Sequence, residues 1–257
     1  MRPPANALAL LLAPLLVGCG TAAAPVPGPA DSVSGTVVVF AAASLTEAFQ
    51  KLGTDFHARH PAATVQLVFA GSSTLVTQLT QGAQADVFAS ADQANMDKVT
   101  AAGLGAAPPA GFAGNRLEIV VEAGNPKHLT GLADLARPGL VVVLAGPTVP
   151  VGRYAAQALQ AAGVRVTPAS QETDVKAVVS KVALGEADAG IVYVTDVRAG
   201  GARVAGVPVP DQYNVLAHYP VVRLKGASAP TAAQAFIDFL LSPAGQKTLQ
   251  GFGFTGP

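Results

Sequence analysis

Three short segments carry hydroxyl groups and free backbone N–H groups at points where a helix is predicted to begin. They are residues 41–47, 69–75 and 148–154. Each segment follows a strand-like run and precedes a helix-like run. The first turn of a helix exposes unpaired N–H groups at the positive end of its dipole, and hydroxyls add further neutral donors. This combination predicts a site that holds an anion by hydrogen bonds and without an opposing charge.

The first segment has two interpretations. Ser44 and Glu47 have the spacing of a capping box, in which the serine caps the helix and the glutamate bonds back to the serine N–H. Such a cap stabilises a helix by about 1 kcal/mol and needs no ligand. Binding an anion would instead require the Ser44 hydroxyl to point away from its own helix.

The second and third segments offer more donors than helix capping needs. Gly71 precedes three consecutive hydroxyl residues, 72–74, and one hydroxyl is enough for a cap. The alternative is a solvated polar turn. Pro150 has no N–H and favours the first helical turn, which leaves the N–H of Val151 free to point outward. An ordinary helix that begins at a proline is the alternative here.

A fourth predicted helix begins after residue 174. Thr173 or Asp174 is its expected cap, and Val175 is its first residue. Tyr193 ends the predicted strand at 189–193. Because ligands of open α/β sheets lie beyond the carboxyl ends of strands, this tyrosine could either pack or donate to a ligand. The four helix starts and the tyrosine could converge on one cleft.

Signals for other chemistry are few. The chain has no phosphate-binding loop, no dinucleotide fingerprint and no nucleophile elbow. His57 and His60 lack further metal ligands and are interpreted as surface residues. We interpret Arg153 as a solvated arginine, because a fixed cation would duplicate the helix-start donors. A hydrolase that uses Ser44 or Ser72 would need a nearby histidine or lysine base, and these motifs contain none.

The composition excludes several classes of protein. The chain has 257 residues, is 12% charged and has zero formal net charge. It therefore lacks the basic patch typical of nucleic-acid binders, and we expect no nucleic-acid partner. It also lacks a global positive field that would attract anions. Any preference for anions must come from a local site.

The N-terminus resembles an export signal. Arg2 precedes an apolar run at 7–17, which is too short to span a bilayer. Residues 16–19, Leu-Val-Gly-Cys, resemble a bacterial lipobox, which implies cleavage before Cys19 and lipid attachment to its sulfur. Cys19 is the only cysteine, so no internal disulfide can form. We expect a lipoprotein signal peptide at 1–18, a flexible tether at 19–34 and an exported protein anchored by lipid to a bacterial membrane.

The remaining chain alternates apolar runs of strand length with runs of helical spacing. The predicted strands are 36–40, 64–69, 86–89, 117–121, 140–144, 189–193 and 221–222. The predicted helices are 45–56, 75–79, 92–102, 151–162, 175–184 and 232–241. This alternation predicts an α/β fold with mainly parallel sheets. Residues 111–115 and 211–218 interrupt the pattern and could connect two lobes.

Several of these segments resemble those of molybdate-binding proteins, the extracytoplasmic receptors of molybdate ABC importers. The matching stretches are 39–45, 69–75, 85–92, 149–154, 190–193 and 219–222, and they occur in the right order along nearly the whole mature chain. The resemblance implies a two-lobed periplasmic-binding-protein fold of type II with a hinge. Lobe 1 would comprise 35–113 and 217–257, and lobe 2 would comprise 114–216.

The resemblance also implies a set of oxyanion-binding groups. They are the hydroxyls of Ser44 and Ser72, the backbone N–H groups of Val151 and Val175, and the phenol of Tyr193. Two positions depart from the family pattern. Val151 replaces an alanine found in some relatives, and Gly71 replaces a hydroxyl residue found in some relatives, which leaves Ser72 as the donor of that segment.

The implied function is that of a receptor and not of an enzyme. Molybdenum would enter as molybdate, without a direct protein ligand, and tungstate could bind as well; no cofactor is implied. The implied partners are the membrane subunits of an ABC permease, and the receptor would be a monomer. The alternatives are a receptor for sulfate or another tetrahedral oxyanion, an exported serine hydrolase and a lipid-tethered adhesion module.

A site made only of donors suits molybdate chemically. Molybdate is a tetrahedral dianion without a proton at neutral pH, whereas phosphate keeps a proton and would need an acceptor. Sulfate is equally unprotonated, so only pocket size would separate sulfate from molybdate.

Overall fold

A computed structural model describes Met1 and residues 33–257. The predicted signal peptide beyond Met1, the tether up to residue 32 and the predicted lipid site at Cys19 lie outside the described residues. The strands are β1 Gly35–Ala42, β2 Ala63–Ala70, β3 Val87–Ala89, β4 Ala110–Asn115, β5 Leu117–Glu122, β6 Val142–Ala145, β7 Ser170–Glu172, β8 Ala189–Tyr193, β9 Val204–Pro208 and β10 Ala217–Arg223. The helices are α1 Thr46–Arg59, α2 Ser72–Thr80, α3 Gln93–Ala101, α4 Pro150–Ala161, α5 Val175–Ala183, α6 Val194–Gly200, α7 Pro230–Leu241 and α8 Pro243–Gly251.

The first sheet has the strand order β2-β1-β3-β10-β4. Its strand β1 is parallel to β2 and β3, whereas β10 is antiparallel to β3 and β4. Helix α1 packs its apolar face into the core through Phe49 and Phe56, which meet Phe236 of α7 at ring distances of 6.0 and 5.5 Å. The C-terminal helices therefore belong to the body of the first sheet.

The second sheet has the strand order β7-β6-β8-β5-β9. Strand β6 is parallel to β7 and β8, whereas β5 is antiparallel to β8 and β9. Helix α5 covers this sheet with its buried face, which comprises Val175, Val178, Val179 and Val182. No helix in the described part of the chain is long and apolar enough to cross a membrane.

The α/β class is confirmed, but the prediction of mainly parallel sheets is wrong. Each sheet contains two parallel and two antiparallel pairings among its described strands. The reason is that strands buried on both faces read as continuous apolar runs in either direction. Strand β5, with the sequence LEIVVE, is such a run, and it is antiparallel to both of its neighbours.

The interruption predicted at 111–115 is instead part of strand β4. Its glycines have low strand propensity, which hides it in the sequence. The structure explains one of them, since a Cβ atom on Gly114 would overlap the hydroxyl of Thr255. Pairing of β4 with β10 and with the C-terminal segment overrides the weak local propensity.

Two connections carry the chain between the sheets. The first connection runs from the end of β4 to the start of β5, and the second runs from the end of β9 to the start of β10. Asn214 in the second connection accepts from the N–H of Leu117 at 2.9 Å and donates to its carbonyl oxygen at 2.9 Å. The second connection is thus bonded to the start of β5, while the predicted lobe boundaries at 113/114 and 216/217 stay a prediction.

Candidate functional site

A small cavity lies between segments of the two sheets. It is lined by Ala42, Ala43, Ser44, Gly71, Ser72, Ala91, Val149, Pro150, Val151, Val175 and Tyr193. All five residues predicted to bind the oxyanion are therefore brought to one place. The centre of a water molecule can reach ≈ 10 Å³ of this cavity. That is about the room for one water molecule, whereas sites for drug-sized ligands offer roughly 300 Å³ or more, so this cavity excludes organic ligands of that size.

Ser44 lies in a short 3₁₀ turn, Ala43–Leu45, between β1 and α1. The predicted capping box is wrong, because α1 begins at Thr46 with Leu45 as N-cap and no side chain caps it. Glu47 is therefore the second residue of the helix and not the third. The Ser44 hydroxyl is left for other partners, and its Oγ lies 2.9 Å from the phenol oxygen of Tyr219.

Ser72 is the first residue of α2 and follows Gly71 as N-cap. Its Oγ accepts the backbone N–H of Ala91 at 3.0 Å. Since a hydroxyl carries one hydrogen, and its oxygen is here the acceptor, the Ser72 hydrogen remains available to a ligand. Ser72 is almost completely buried, so that hydrogen has little access to bulk water.

Val151 and Val175 contribute backbone rather than side-chain chemistry. Val151 is the second residue of α4, after Pro150, and no side chain caps that helix. Val175 is the first residue of α5, where the predicted cap is confirmed for Asp174, whose carboxylate accepts from the N–H of Ala177 at 3.0 Å. The first N–H groups of a helix have no acceptor within it, so both helices can offer N–H donors to the cavity.

Tyr193 ends β8 and is 1% exposed. Within the described part of the chain, its phenol oxygen is buried without a hydrogen-bond partner. Burial raises the pKa of this phenol well above 10, so it keeps its proton and can donate. A buried hydroxyl without a partner costs about 1–3 kcal/mol. A ligand oxygen in the cavity would remove that cost.

The cations near the cavity are already paired with carboxylates. Arg153 was interpreted as solvated, but its guanidinium binds the buried carboxylate of Asp92, so that interpretation is wrong. Lys176 lies 2.8 Å from Glu47 and 3.4 Å from Asp196. The sequence could not reveal these pairs, because each one joins distant positions of the chain. No lysine or arginine is among the described residues that line the cavity.

The arrangement is poorly suited to nucleophilic catalysis. Ser44 Oγ has Tyr219 as its bonded neighbour and Ser72 Oγ has the Ala91 N–H, and neither is a base. The described residues contain no cluster of three or more His, Cys, Asp or Glu side chains that could hold a metal. The chemistry that remains is recognition of a small anion by hydrogen-bond donors.

Comparisons with known proteins agree with this chemistry. The family model of bacterial extracellular solute-binding proteins matches residues 37–255. Molybdate-binding protein ModA of Mycobacterium tuberculosis is 46% identical over 244 residues, which cover 94% of this chain and 93% of that protein.

Two solved structures share the fold at low sequence identity. The periplasmic molybdate-binding protein of Azotobacter vinelandii has a TM-score of 0.73 at 22% identity and covers 86% of this chain and 99% of that one. The sulfate-binding protein SubI of M. tuberculosis has a TM-score of 0.76 at 19% identity, with 86% of each chain covered. The fold is thus the two-lobed fold of periplasmic binding proteins, and fold alone does not choose between the two anions. By its sequence, the chain belongs to the family of bacterial extracellular solute-binding proteins.

Proposed function

We propose that this protein is the molybdate receptor of an ABC importer. It binds molybdate in the cavity between the two sheets and presents it to the membrane subunits of the permease. The observation that carries the proposal is the set of neutral donors around one small cavity, which includes the buried and unpaired phenol of Tyr193. The name of the 46% identical relative, molybdate-binding protein, supports the choice of ligand.

The donor set supports a useful affinity. A hydrogen bond to a charged group contributes about 1.5–3 kcal/mol, so five such bonds give on the order of 10 kcal/mol before the cost of dehydrating the anion. Further N–H groups in the first helical turns add to this sum. A dissociation constant between micromolar and nanomolar corresponds to roughly 8–12 kcal/mol and is the range we expect.

The same donors would accept other unprotonated tetrahedral dianions. Tungstate is a second ligand in this proposal, because it has the charge and shape of molybdate. Sulfate is the main competitor, since it also lacks a proton and differs mainly in size. Hydrogen phosphate has equal charge but carries a proton, and no carboxylate acceptor is among the described residues that line the cavity.

Ligand binding favours the closed arrangement of the lobes. Ser44 and Ser72 follow strands of the first sheet, whereas Val151, Val175 and Tyr193 belong to the second. One anion that binds both groups holds the sheets together, and the permease would recognise that closed form. In this proposal the receptor is a monomer without enzymatic activity and needs no cofactor.

The anchor is a separate part of the proposal. Cys19 carries the lipid and tethers the exported receptor to the membrane. Mass spectrometry of the Cys19 peptide from membranes tests this directly. We expect the mass of a lipid-modified cysteine, and release of the Cys19→Ser variant from the membrane fraction. An unmodified Cys19 in a protein that remains on the membrane would overturn the anchor without affecting the receptor.

Isothermal titration calorimetry with molybdate, tungstate, sulfate and phosphate tests the receptor function. We expect molybdate and tungstate to bind at least about 100-fold more tightly than phosphate, which corresponds to about 2.7 kcal/mol. Tight binding of sulfate without binding of molybdate would make this a sulfate receptor. Absence of both heat and thermal stabilisation with every anion would favour an adhesion module.

Two serines of α2 locate the site. Ser72→Ala should weaken molybdate binding about 10-fold or more, because it removes a donor to a charged ligand. Ser73→Ala is the matched control, since Ser73 follows directly in the same turn but does not line the cavity. Ser72→Asp should nearly abolish binding, because it places a carboxylate beside the dianion. Unchanged affinity in Ser72→Asp would exclude this segment from the site.

A further inference from the structure

A chain of buried polar groups extends from the cavity into the protein behind Ser44. Tyr219 is fully buried, and its phenol oxygen lies 2.9 Å from Ser44 Oγ. On its other side the amide nitrogen of Asn115 lies 3.4 Å from that phenol and 2.8 Å from the hydroxyl of Thr195. Neither Tyr219 nor Asn115 is among the residues that line the cavity, whereas Ser44 is.

The direction of these hydrogen bonds follows from Asn115. Its Oδ1 accepts the backbone N–H of Arg116 at 2.9 Å, and a backbone N–H can only donate. This contact fixes the amide, so its NH₂ group faces the phenol of Tyr219. Because an NH₂ group has no acceptor site, the phenol cannot donate to it.

The phenol hydrogen of Tyr219 must therefore find its acceptor elsewhere. Ser44 Oγ is the acceptor at hydrogen-bond distance, and a buried O–H without one would be costly. Tyr219 therefore donates and Ser44 accepts. The hydrogen of Ser44 is then left for the cavity, in the same way that the N–H of Ala91 leaves the hydrogen of Ser72 free.

We propose that Tyr219 is a positioning residue that makes Ser44 a one-way hydrogen-bond donor, held in that direction by Asn115, and that this relay selects unprotonated oxyanions. The inference rests on the proposed function. If Ser44 accepted a proton from hydrogen phosphate with the lone pair that Tyr219 leaves free, its own hydrogen would lose its acceptor in the cavity and could not turn back to the phenol, which is itself the donor. Polarisation along the relay also strengthens the bond from Ser44 to a dianion.

A double-mutant cycle tests whether Tyr219 acts through Ser44. Molybdate affinity is measured by calorimetry for Tyr219→Phe, for Ser44→Ala and for the double variant. We expect Tyr219→Phe to weaken binding about 10-fold in the parent protein and by less than about twofold when Ser44 is already alanine. An equal loss in both backgrounds would show that the phenol supports only the fold. Tyr213→Phe is the control, because Tyr213 does not line the cavity and lies outside the relay.

A second variant reverses the relay. Asn115→Asp offers the phenol a carboxylate acceptor, so Tyr219 can turn toward it and accept from Ser44 instead. The new negative charge opposes all dianions alike, so the readout is the ratio of molybdate to phosphate affinity at pH 8, where both ligands are dianions. We expect this ratio to fall about 10-fold relative to the parent protein. An unchanged ratio in a folded variant would overturn the inference.

The outcomes separate this inference from the proposed function. If the parent protein does not bind molybdate, the receptor function itself is wrong. If the parent binds molybdate but the cycle is additive, only the role of Tyr219 is wrong. The aromatic ring of Tyr219 packs against Phe112, Tyr193 and Phe254 and is kept in Tyr219→Phe, so the cycle remains decisive even if Asn115→Asp fails to fold.

Discussion

Lys176 and Glu47 form an ion pair across the cleft, in which the lysine ammonium donates to both carboxylate oxygens at 2.9 and 2.8 Å. Glu47 lies on α1, which follows the first sheet, and Lys176 lies on α5 of the second. Asp92, the N-cap residue of α3, and Arg153 of α4 make a second pair. Both pairs join the two sheets beside the cavity, so in the proposed receptor they would favour the closed arrangement.

Glu47→Gln should weaken molybdate binding modestly. The pair is partly exposed, and pairs of that kind contribute about 0.2–1 kcal/mol, so we expect up to about a fivefold loss. Because salt screens exposed charges, the difference should shrink as salt is raised during calorimetry. Asp55→Asn is the control, since Asp55 pairs with Lys51 on the same helix and does not reach the second sheet. A loss as large in Asp55→Asn would contradict the role of the cross-cleft pair.

Gly71→Ala should oppose closure of the cleft without unfolding either sheet. A Cβ atom on Gly71 would overlap the carbonyl oxygen of Thr173 on the opposite side. The backbone of Gly71, at φ -57 and ψ 138, suits any residue, so the variant is not strained within its own segment. We expect molybdate affinity to fall about 10-fold in calorimetry. Gly53→Ala is the control, because its Cβ would make only ordinary contacts, and an equal loss there would refute the clash.

Tyr193→Phe should change stability and affinity in opposite directions. The phenol oxygen is buried without a partner in the described structure, so its removal should stabilise the ligand-free protein by about 1 kcal/mol. The same change removes a donor to the anion and should weaken molybdate binding about 10-fold or more. Thermal unfolding with and without molybdate measures both effects. Lower stability without ligand, or unchanged affinity, would show that the phenol has another partner.

Asp196→Asn should remove a pH dependence of stability. Burial raises the pKa of Asp196 to about 6, and the neighbouring Lys176 partly offsets this increase because its positive charge lowers the pKa. The unfolded carboxyl has a pKa near 3.9, so between the two values the folded state holds the extra proton. The free energy of unfolding of the parent should therefore fall, relative to the variant, by about 2 kcal/mol as pH rises from about 4 to about 7.

Urea unfolding of the ligand-free proteins at several pH values measures this difference. Asp238→Asn removes one charge from an exposed position of α7 and serves as the control. A constant difference between Asp196→Asn and the parent across this range would contradict the buried-carboxylate account.

The sequence was most informative where local chemistry decides the structure. Apolar runs and helix-start residues predicted many of the elements, but not β7, β9, α6 or α8. The helix starts pointed to an anion site, and the family resemblance supplied its five candidate residues, Ser44, Ser72, Val151, Val175 and Tyr193. The sequence was least informative about long-range partners. The sequence suggests that Ser44 caps a helix, whereas its observed hydrogen-bond partner is Tyr219, which lies 175 positions away along the chain. Strand β4 was missed because its glycines serve packing that forms only in the folded protein.

The polarity of the site was also beyond the sequence. Whether a serine donates or accepts depends on what lies behind it, and the partners of Ser44 and Ser72 come from other strands and loops. The same holds for Arg153, whose guanidinium is paired with the carboxylate of Asp92 and not with a ligand. Residue types predicted the donors, whereas folding decided which charges remain free.

A crystal structure of the protein with molybdate is the most direct test of the account. We predict the anion in the cavity between the sheets, with its oxygens bound by the hydroxyls of Ser44 and Ser72, the phenol of Tyr193 and the backbone N–H groups of Val151 and Val175. An anion held by lysine or arginine side chains, or a cavity that stays empty while molybdate binds elsewhere, would contradict it.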